Sequence, residues 1–242
     1  MRKFLLRIFF ILIVGALGGI IFQAFILPYL TTVPFFQKFE FIKMLKERQV
    51  IINQAPTTVV IQENTALEKA IEKVEKMVVR VSAQSKKGKI LAEGSGLILT
   101  ADGHFVTLAN LVPVGADFNF FWSGENLTFQ ILKRDSQNNL ALIKFDKNDL
   151  PTAGFTDSGE IKLGERVFLV GIVLGKTKKV VNEGIIKSFD ENLIKTNIVE
   201  DSNLQGSPLF NIEGKVVGLI TIDKAGQVSA IPIEKIKEFT NL

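Results

Sequence analysis

One histidine, His104, and no cysteine in 242 residues leave this chain few ways to do chemistry. Without a thiol there is no cysteine nucleophile, no disulfide and no zinc–thiolate site. Hydroxyl chemistry remains, and it needs an oxygen nucleophile, a titratable base beside it and a carboxylate to orient that base. His104 follows Asp102 and Gly103 in the turn Ala101-Asp102-Gly103-His104. A lone histidine in such a turn reads as a surface residue facing solvent. A serine–lysine pair is another route, yet the sequence places no lysine beside the loop of Gln205 and Ser207, and Lys187 and Lys215 fall in strands or turns that spacing alone does not position. Glu200, Asp201 and Asp223 read as loop charges rather than a ligand set, so no metal is expected. No glycine loop precedes a helix in the way a phosphate-bearing cofactor requires, and no cofactor is expected.

Three runs carry more information than any single residue. They are Gly94-Ser95-Gly96-Leu97-Ile98-Leu99-Thr100-Ala101-Asp102-Gly103-His104-Phe105-Val106-Thr107-Leu108-Ala109-Asn110-Leu111-Val112, then Asn139-Leu140-Ala141-Leu142-Ile143-Lys144, then Asn203-Leu204-Gln205-Gly206-Ser207-Pro208-Leu209-Phe210-Asn211. In this order they resemble the histidine hairpin, the aspartate strand and the nucleophile loop of the HtrA/Deg serine proteases. Leu163–Val167, Gly171–Gly175, Val181–Ile186 and Ser229–Pro232 resemble later segments of that family, so the likeness runs from about Ala70 to Leu242. The resemblance places the family's histidine on Asn110, its aspartate on Asn139 and its serine on Gln205. An amide accepts no proton near neutral pH, and glutamine has no hydroxyl from which to form an acyl intermediate. All three triad positions are thus degenerate, and the family's serine-endopeptidase activity is expected to be lost. Ser207, where the family carries a second glycine, is the alternative nucleophile. The resemblance puts the oxyanion loop on Asn203, Gln205 and Gly206. Asparagine tolerates positive φ better than most residues, so Asn203 is expected to keep the backbone shape of the glycine it replaces.

These residues must be positioned by the elements around them. From Ile8 to Leu27 the chain is apolar except for Gln23, about the 20 residues that a membrane-crossing helix needs. No small-x-small cleavage pattern follows it, which favours an uncleaved anchor over a signal peptide. Arg2, Lys3 and Arg7 precede the stretch and place the N-terminus on the cytoplasmic side, with the rest outside. The pI of about 9.2 comes mostly from those three residues. Of 29 basic residues, 26 remain to face 25 acidic ones, so no nucleic-acid partner is expected. Phe35, Phe36, Phe39, Ile42 and Leu45 recur at helical spacing and predict a short amphipathic helix within 35–54, either lying on lipid, or making a subunit contact, or serving as a stalk. Thr65-Ala66-Leu67-Glu68 is a capping-box pattern that predicts a helix over about 66–76.

Beyond Met77, short β-branched runs alternate with turns, which predicts an all-β sandwich or barrel, closed by a helix from Ile233 to about Phe239. The HtrA/Deg resemblance narrows this to a trypsin/chymotrypsin-like double antiparallel β-barrel. The expected domains are an anchor over 1–30, a partly helical stalk over 31–64 and the double barrel over 65–242. Family members usually continue into PDZ modules, whereas ten residues follow Pro232 here, so recognition is expected to use the barrels or the membrane segment. The whole reads as a single-pass, membrane-held pseudoprotease on the extracytoplasmic side, with a protein or unfolded peptide as partner and trimers implied by the family. A rewired endopeptidase using Ser207 and a purely structural envelope protein are the alternatives.

Overall fold

The computed structural model describes residues 2–26, 29, 63–157, 159–173 and 178–242. Contacts divide the chain into two units, Met1–Val60 and Ile61–Leu242. In the first, helix α1 (Arg2–Ile21) continues as a π-helix over Phe22–Ile26. Its stretch Arg7–Ile26, 20 residues with a mean hydropathy of 2.5, is long and apolar enough to cross a membrane by length and composition. The amphipathic helix expected within 35–54 lies outside the described residues.

The second unit opens with α2 (Glu63–Val74), which runs into a 3₁₀ turn over Glu75–Met77. The helix begins ahead of Thr65, so Thr65 lies inside it rather than capping it, a correction to the sequence expectation. Neither Glu63 nor Asn64 bars helical backbone angles, and each earlier residue adds a hydrogen bond once the helix is nucleated. Ala70, Val74 and Met77 are buried at helical spacing and seat α2 in the larger hydrophobic core, to which the first sheet contributes.

That sheet has seven antiparallel strands: β1 (Val78–Gln84), β2 (Ile90–Ile98), β3 (His104–Leu108), β4 (Asp117–Trp122), β5 (Glu125–Asn126), β6 (Phe129–Asp135) and β7 (Leu140–Phe145), in the order β5-β4-β1-β2-β3-β7-β6. Phe105, Phe120 and Phe145 are fully buried between its walls, with ring centroids 5.0–5.7 Å apart. The sheet curls without closing by strand pairing, and the chain itself links its two edges through Leu127 and Thr128. Leu127 N–H donates to the Phe120 carbonyl and Asp146 N–H to that of Thr128. The expected first barrel is therefore a half-barrel.

The second sheet is a closed six-stranded barrel of β8 (Arg166–Val173), β9 (Lys178–Phe189), β10 (Ile194–Val199), β11 (Pro208–Asn211), β12 (Val216–Ile222) and β13 (Gln227–Pro232), followed by α3 (Ile233–Thr240). Strand β8 is buried on both faces, which explains its unbroken run Val167-Phe168-Leu169-Val170. Val167 and Leu169 belong to the core inside the closed barrel, while Phe168 and Val170 join the larger core that the first sheet shares. Ser95, on β2, ties the two sheets together: its Oγ accepts a hydrogen bond from Ile172 N–H at 3.1 Å. The all-β trypsin-like double-barrel architecture is thus present, with one half-barrel and one closed barrel.

Candidate functional site

Asn110 sits in the 3₁₀ turn Ala109–Leu111 that ends β3, and Asn139 directly precedes β7. Because β3 and β7 pair from His104–Lys144 to Leu108–Leu140, residues 29 apart in sequence meet at the end of that ladder. Asn139 adopts φ 55°, a left-handed conformation that asparagine tolerates. It clamps the turn twice: Ala109 N–H donates to its carbonyl at 3.0 Å, and Asn110 N–H to its Oδ1 at 3.0 Å.

Gln205 arrives from the other barrel, 95 residues from Asn110, and its Oε1 accepts from Asn110 Nδ2 at 3.4 Å. Its Nε2 donates to the Ile222 carbonyl at the end of β12, 3.2 Å away. Its main-chain carbonyl accepts from Ser95 N–H at 2.8 Å. Asn139, Asn110, Gln205 and the Ile222 carbonyl therefore form a continuous chain of amide hydrogen bonds across the interface of the two sheets. None of these groups changes charge near neutral pH, so the chain can hold an orientation and bind a polar ligand, but it cannot relay a proton.

The loop that carries Gln205 is a 3₁₀ turn over Ser202–Leu204, and Gln205 N–H donates back to the Ser202 carbonyl at 3.2 Å. An oxyanion hole needs open N–H groups aimed at the reacting oxygen, and this one is engaged within its own turn. Asn203 lies inside the 3₁₀ turn and does not take the positive φ expected of it. Helical turns require negative φ, and the left-handed step falls instead on Gly206 at φ +73°. A Cβ on Gly206 would lie 2.4 Å from the Ser95 carbonyl oxygen, so the loop is pressed against β2 too closely for any side chain there.

Ser207 is fully buried, and its Oγ has no hydrogen-bond partner. A hydroxyl that meets neither solvent nor a base cannot attack a substrate in this conformation. Lys215 is committed elsewhere, 3.3 Å from both Glu160 and Glu213, and its hydrogen bond to Glu213 is the leading cause that raises its pKa above the ordinary lysine value. Lys187 is exposed on β9.

His104 opens β3, at the opposite end of the strand from Asn110 and roughly 15–20 Å away by strand geometry. Its side chain is one-third exposed rather than free in solvent, which corrects the expectation. Nδ1 lies 3.0 Å from Thr100 Oγ1 and 3.2 Å from Asp102 Oδ1. The hydrogen bond from Thr100, then that from His104, holds the Asp102 carboxyl below its ordinary pKa. The cluster braces a turn.

Two clefts flank Gln205. The larger, about 730 Å³, is lined by residues 199–202, Gln205 and residues 222–226. Its carboxylates are those of Glu200, Asp201 and Asp223. Two of them are engaged: Asn182 Nδ2 donates to Glu200 at 2.7 Å, and the N–H groups of Ala225 and Gln227 donate to Asp223. The smaller, about 400 Å³, lies between the 90–93 segment, Asn110 and Leu111, and Ser202, Asn203 and Gln205. The parts played by Ser95 and by the Ile222 carbonyl are not apparent from the sequence motifs. The only local signal for Ser95 is its place between Gly94 and Gly96, where a Cβ on Gly94 would meet the Gln205 carbonyl oxygen at 2.3 Å.

Comparison with known proteins agrees with this architecture. The model of the trypsin-like peptidase domain matches residues 91–219, more than half of the chain. A probable periplasmic serine endoprotease, DegP-like, of Hahella chejuensis is 34% identical over 136 residues, covering 52% of this chain and 29% of that protein. Serine protease HTRA1A of Danio rerio is 28% identical over 191 residues, covering 70% of this chain and 39% of that protein. The chain thus spans less than two fifths of the length of these curated relatives. Among solved structures, the HtrA-type protease AlgW with tripeptide superposes with a TM-score of 0.65 at 22% identity, over 72% of this chain and 62% of that one.

Proposed function

Since the chain belongs to the family of trypsin-like peptidase domains, and within it to the HtrA-like serine protease homologues, we propose that it is a membrane-anchored pseudoprotease that binds an extended protein or peptide segment without cutting it. The observation that carries the reading is the amide chain Asn139–Asn110–Gln205–Ile222, which is built of neutral groups only and includes the three residues that the resemblance assigns to the triad. The buried, unpartnered Ser207 hydroxyl weighs against a rewired nucleophile. Removing a working triad leaves only about a 10³–10⁴-fold enhancement over water, too little for a useful protease. The open clefts on either side of Gln205 support binding rather than a purely structural role, since an extended segment can lie across them and pair with strand edges. The apolar stretch Arg7–Ile26 supports the anchor, and the three basic residues before or at its start support a domain on the extracytoplasmic side. In that role the domain regulates an active protease or scaffolds an envelope complex, as a trimer if it assembles as its family does.

The test is hydrolysis of unfolded casein by the full chain in detergent micelles, beside a variant carrying Asn110→His, Asn139→Asp and Gln205→Ser. The natural chain is expected to be silent and to bind casein. Cleavage by the natural chain that Ser207→Ala abolishes would sink the reading. Cleavage by the triple variant alone supports it.

A further inference from the structure

The turn between β1 and β2 is held rigidly. Ser85 N–H donates to the Lys89 carbonyl at 2.8 Å, Gly88 N–H to that of Ser85 at 2.8 Å, and Lys89 N–H to Ser85 Oγ at 3.1 Å, with Gly88 at φ +77°. Around it, Lys86, Lys87 and Lys89 are exposed, and none takes part in an ion pair among the described residues. Directly after them come Ile90 and Leu91, 42% and 52% exposed. Among the described residues of 63–242, this is the one place where two large aliphatic residues adjacent in sequence are both exposed. Elsewhere in that range no two exposed large apolar residues are adjacent in sequence.

Three unpaired cations within four positions, followed by two exposed aliphatics, are the signature of a surface that enters the headgroup layer of an anionic bilayer. The aliphatics bury at the acyl boundary while the ammonium groups meet lipid phosphate. An acidic protein would satisfy the lysines without accounting for Ile90 and Leu91. The same chain carries an apolar helix of membrane-crossing length. We propose that the Lys86–Leu91 hairpin tip docks on the anionic membrane that anchors the chain. This rests on the reading of α1 as an anchor. Because Ile90 and Leu91 also form one wall of the 400 Å³ cleft beside Gln205, docking brings the mouth of that cleft to the lipid surface. The segments best placed to reach it are those emerging from the bilayer. Each lysine near an anionic surface strengthens binding by about fivefold, so reversing all three weakens docking by at least about a hundredfold.

The absence of cysteine permits a clean test. Leu91→Cys, and separately Ile212→Cys in the β11–β12 turn as a distant exposed control, are labelled with an environment-sensitive nitrobenzoxadiazole dye. The full chain is placed in nanodiscs of phosphatidylcholine alone or of phosphatidylcholine and phosphatidylglycerol at three to one, with incorporation measured separately by flotation. The label at position 91 is expected to blue-shift and to lose quenching by aqueous iodide only in the anionic discs. Both effects are expected to vanish with Lys86→Glu, Lys87→Glu and Lys89→Glu, or in 1 M salt, where the screening length falls to about 3 Å. Equal signals in both lipids, indifference to charge reversal, or an equal shift at position 212 overturns the proposal and leaves the anchor reading intact. A shift produced by polyglutamate but not by phosphatidylglycerol makes the partner an acidic protein and also overturns it. Failure to float with either disc overturns the anchor and the docking together.

Discussion

Removing the hydroxyl from two buried serines should move stability in opposite directions. Ser95 and Ser207 are both fully buried, on β2 and in the loop before β11. Ser95 Oγ accepts from Ile172 N–H at 3.1 Å, whereas Ser207 Oγ has no partner. Ser95→Ala orphans a buried amide and costs about 1–3 kcal/mol. Ser207→Ala removes a hydroxyl whose burial without a partner is unfavourable by about the same range, and should stabilise by about 1 kcal/mol. The two variants should thus differ by about 3 kcal/mol, or roughly 6–12 °C in melting temperature for a domain of this size. Thermal unfolding of the full chain in detergent can be followed through the single tryptophan, Trp122, whose Nε1 donates to the Lys76 carbonyl at 2.7 Å. If both variants shift the same way, or if Ser207→Ala costs more than about 1 kcal/mol, the Ser207 hydroxyl has a partner and the reasoning is refuted. Casein assays on the same samples add the functional half, because a buried hydroxyl should leave turnover unchanged when it is removed.

Asn139 performs two tasks, so Asn139→Gly should lose only the side-chain bond to Asn110 N–H, about 1 kcal/mol, while Asn139→Ala should lose a further 1 kcal/mol or so to left-handed strain; equal urea midpoints for the two would show that φ 55° imposes no cost. Gly206→Ala combines φ +73° with a Cβ 2.4 Å from the Ser95 carbonyl oxygen, and should cost at least about 2 kcal/mol by the same unfolding assay. Asp102, Asp135, Glu160 and Asp190 are held below their ordinary pKa, chiefly by hydrogen bonds from Thr100, Asn138, the Asp157 backbone and the Asn192 backbone respectively. Each carboxylate binds protons less readily in the folded state, so its contribution is in place above the ordinary carboxylate range and is lost as pH falls through the lowered folded values. Melting temperature should therefore drop below about pH 4, and Asp102→Asn should flatten part of that drop.

The linear order of residues sets the repertoire of groups and the order of the parts. The absence of cysteine, a lone histidine, an apolar stretch of membrane length and the collinear runs around Asn110, Asn139 and Gln205 are local facts, written in residue identity and spacing. Strand positions were legible for the same reason, because a β-branched run between turn residues is a local pattern; the run Val216–Ile222 forms β12. Contacts between residues far apart in the chain are written in no local pattern. The β3–β7 ladder brings Asn110 to Asn139, and the packing of one sheet against the other brings Gln205 to Asn110 across 95 residues. Whether the first barrel closes and whether Asn203 or Gly206 takes the left-handed step follow from no local pattern: the link through Leu127 and Thr128 and the close approach of Gly206 to β2 decide them. Burial is likewise a property of the surroundings. Ser207 and Ser95 are the same residue type in similar glycine-rich settings, and only the backbone of β8, folded against β2, gives one of them a partner.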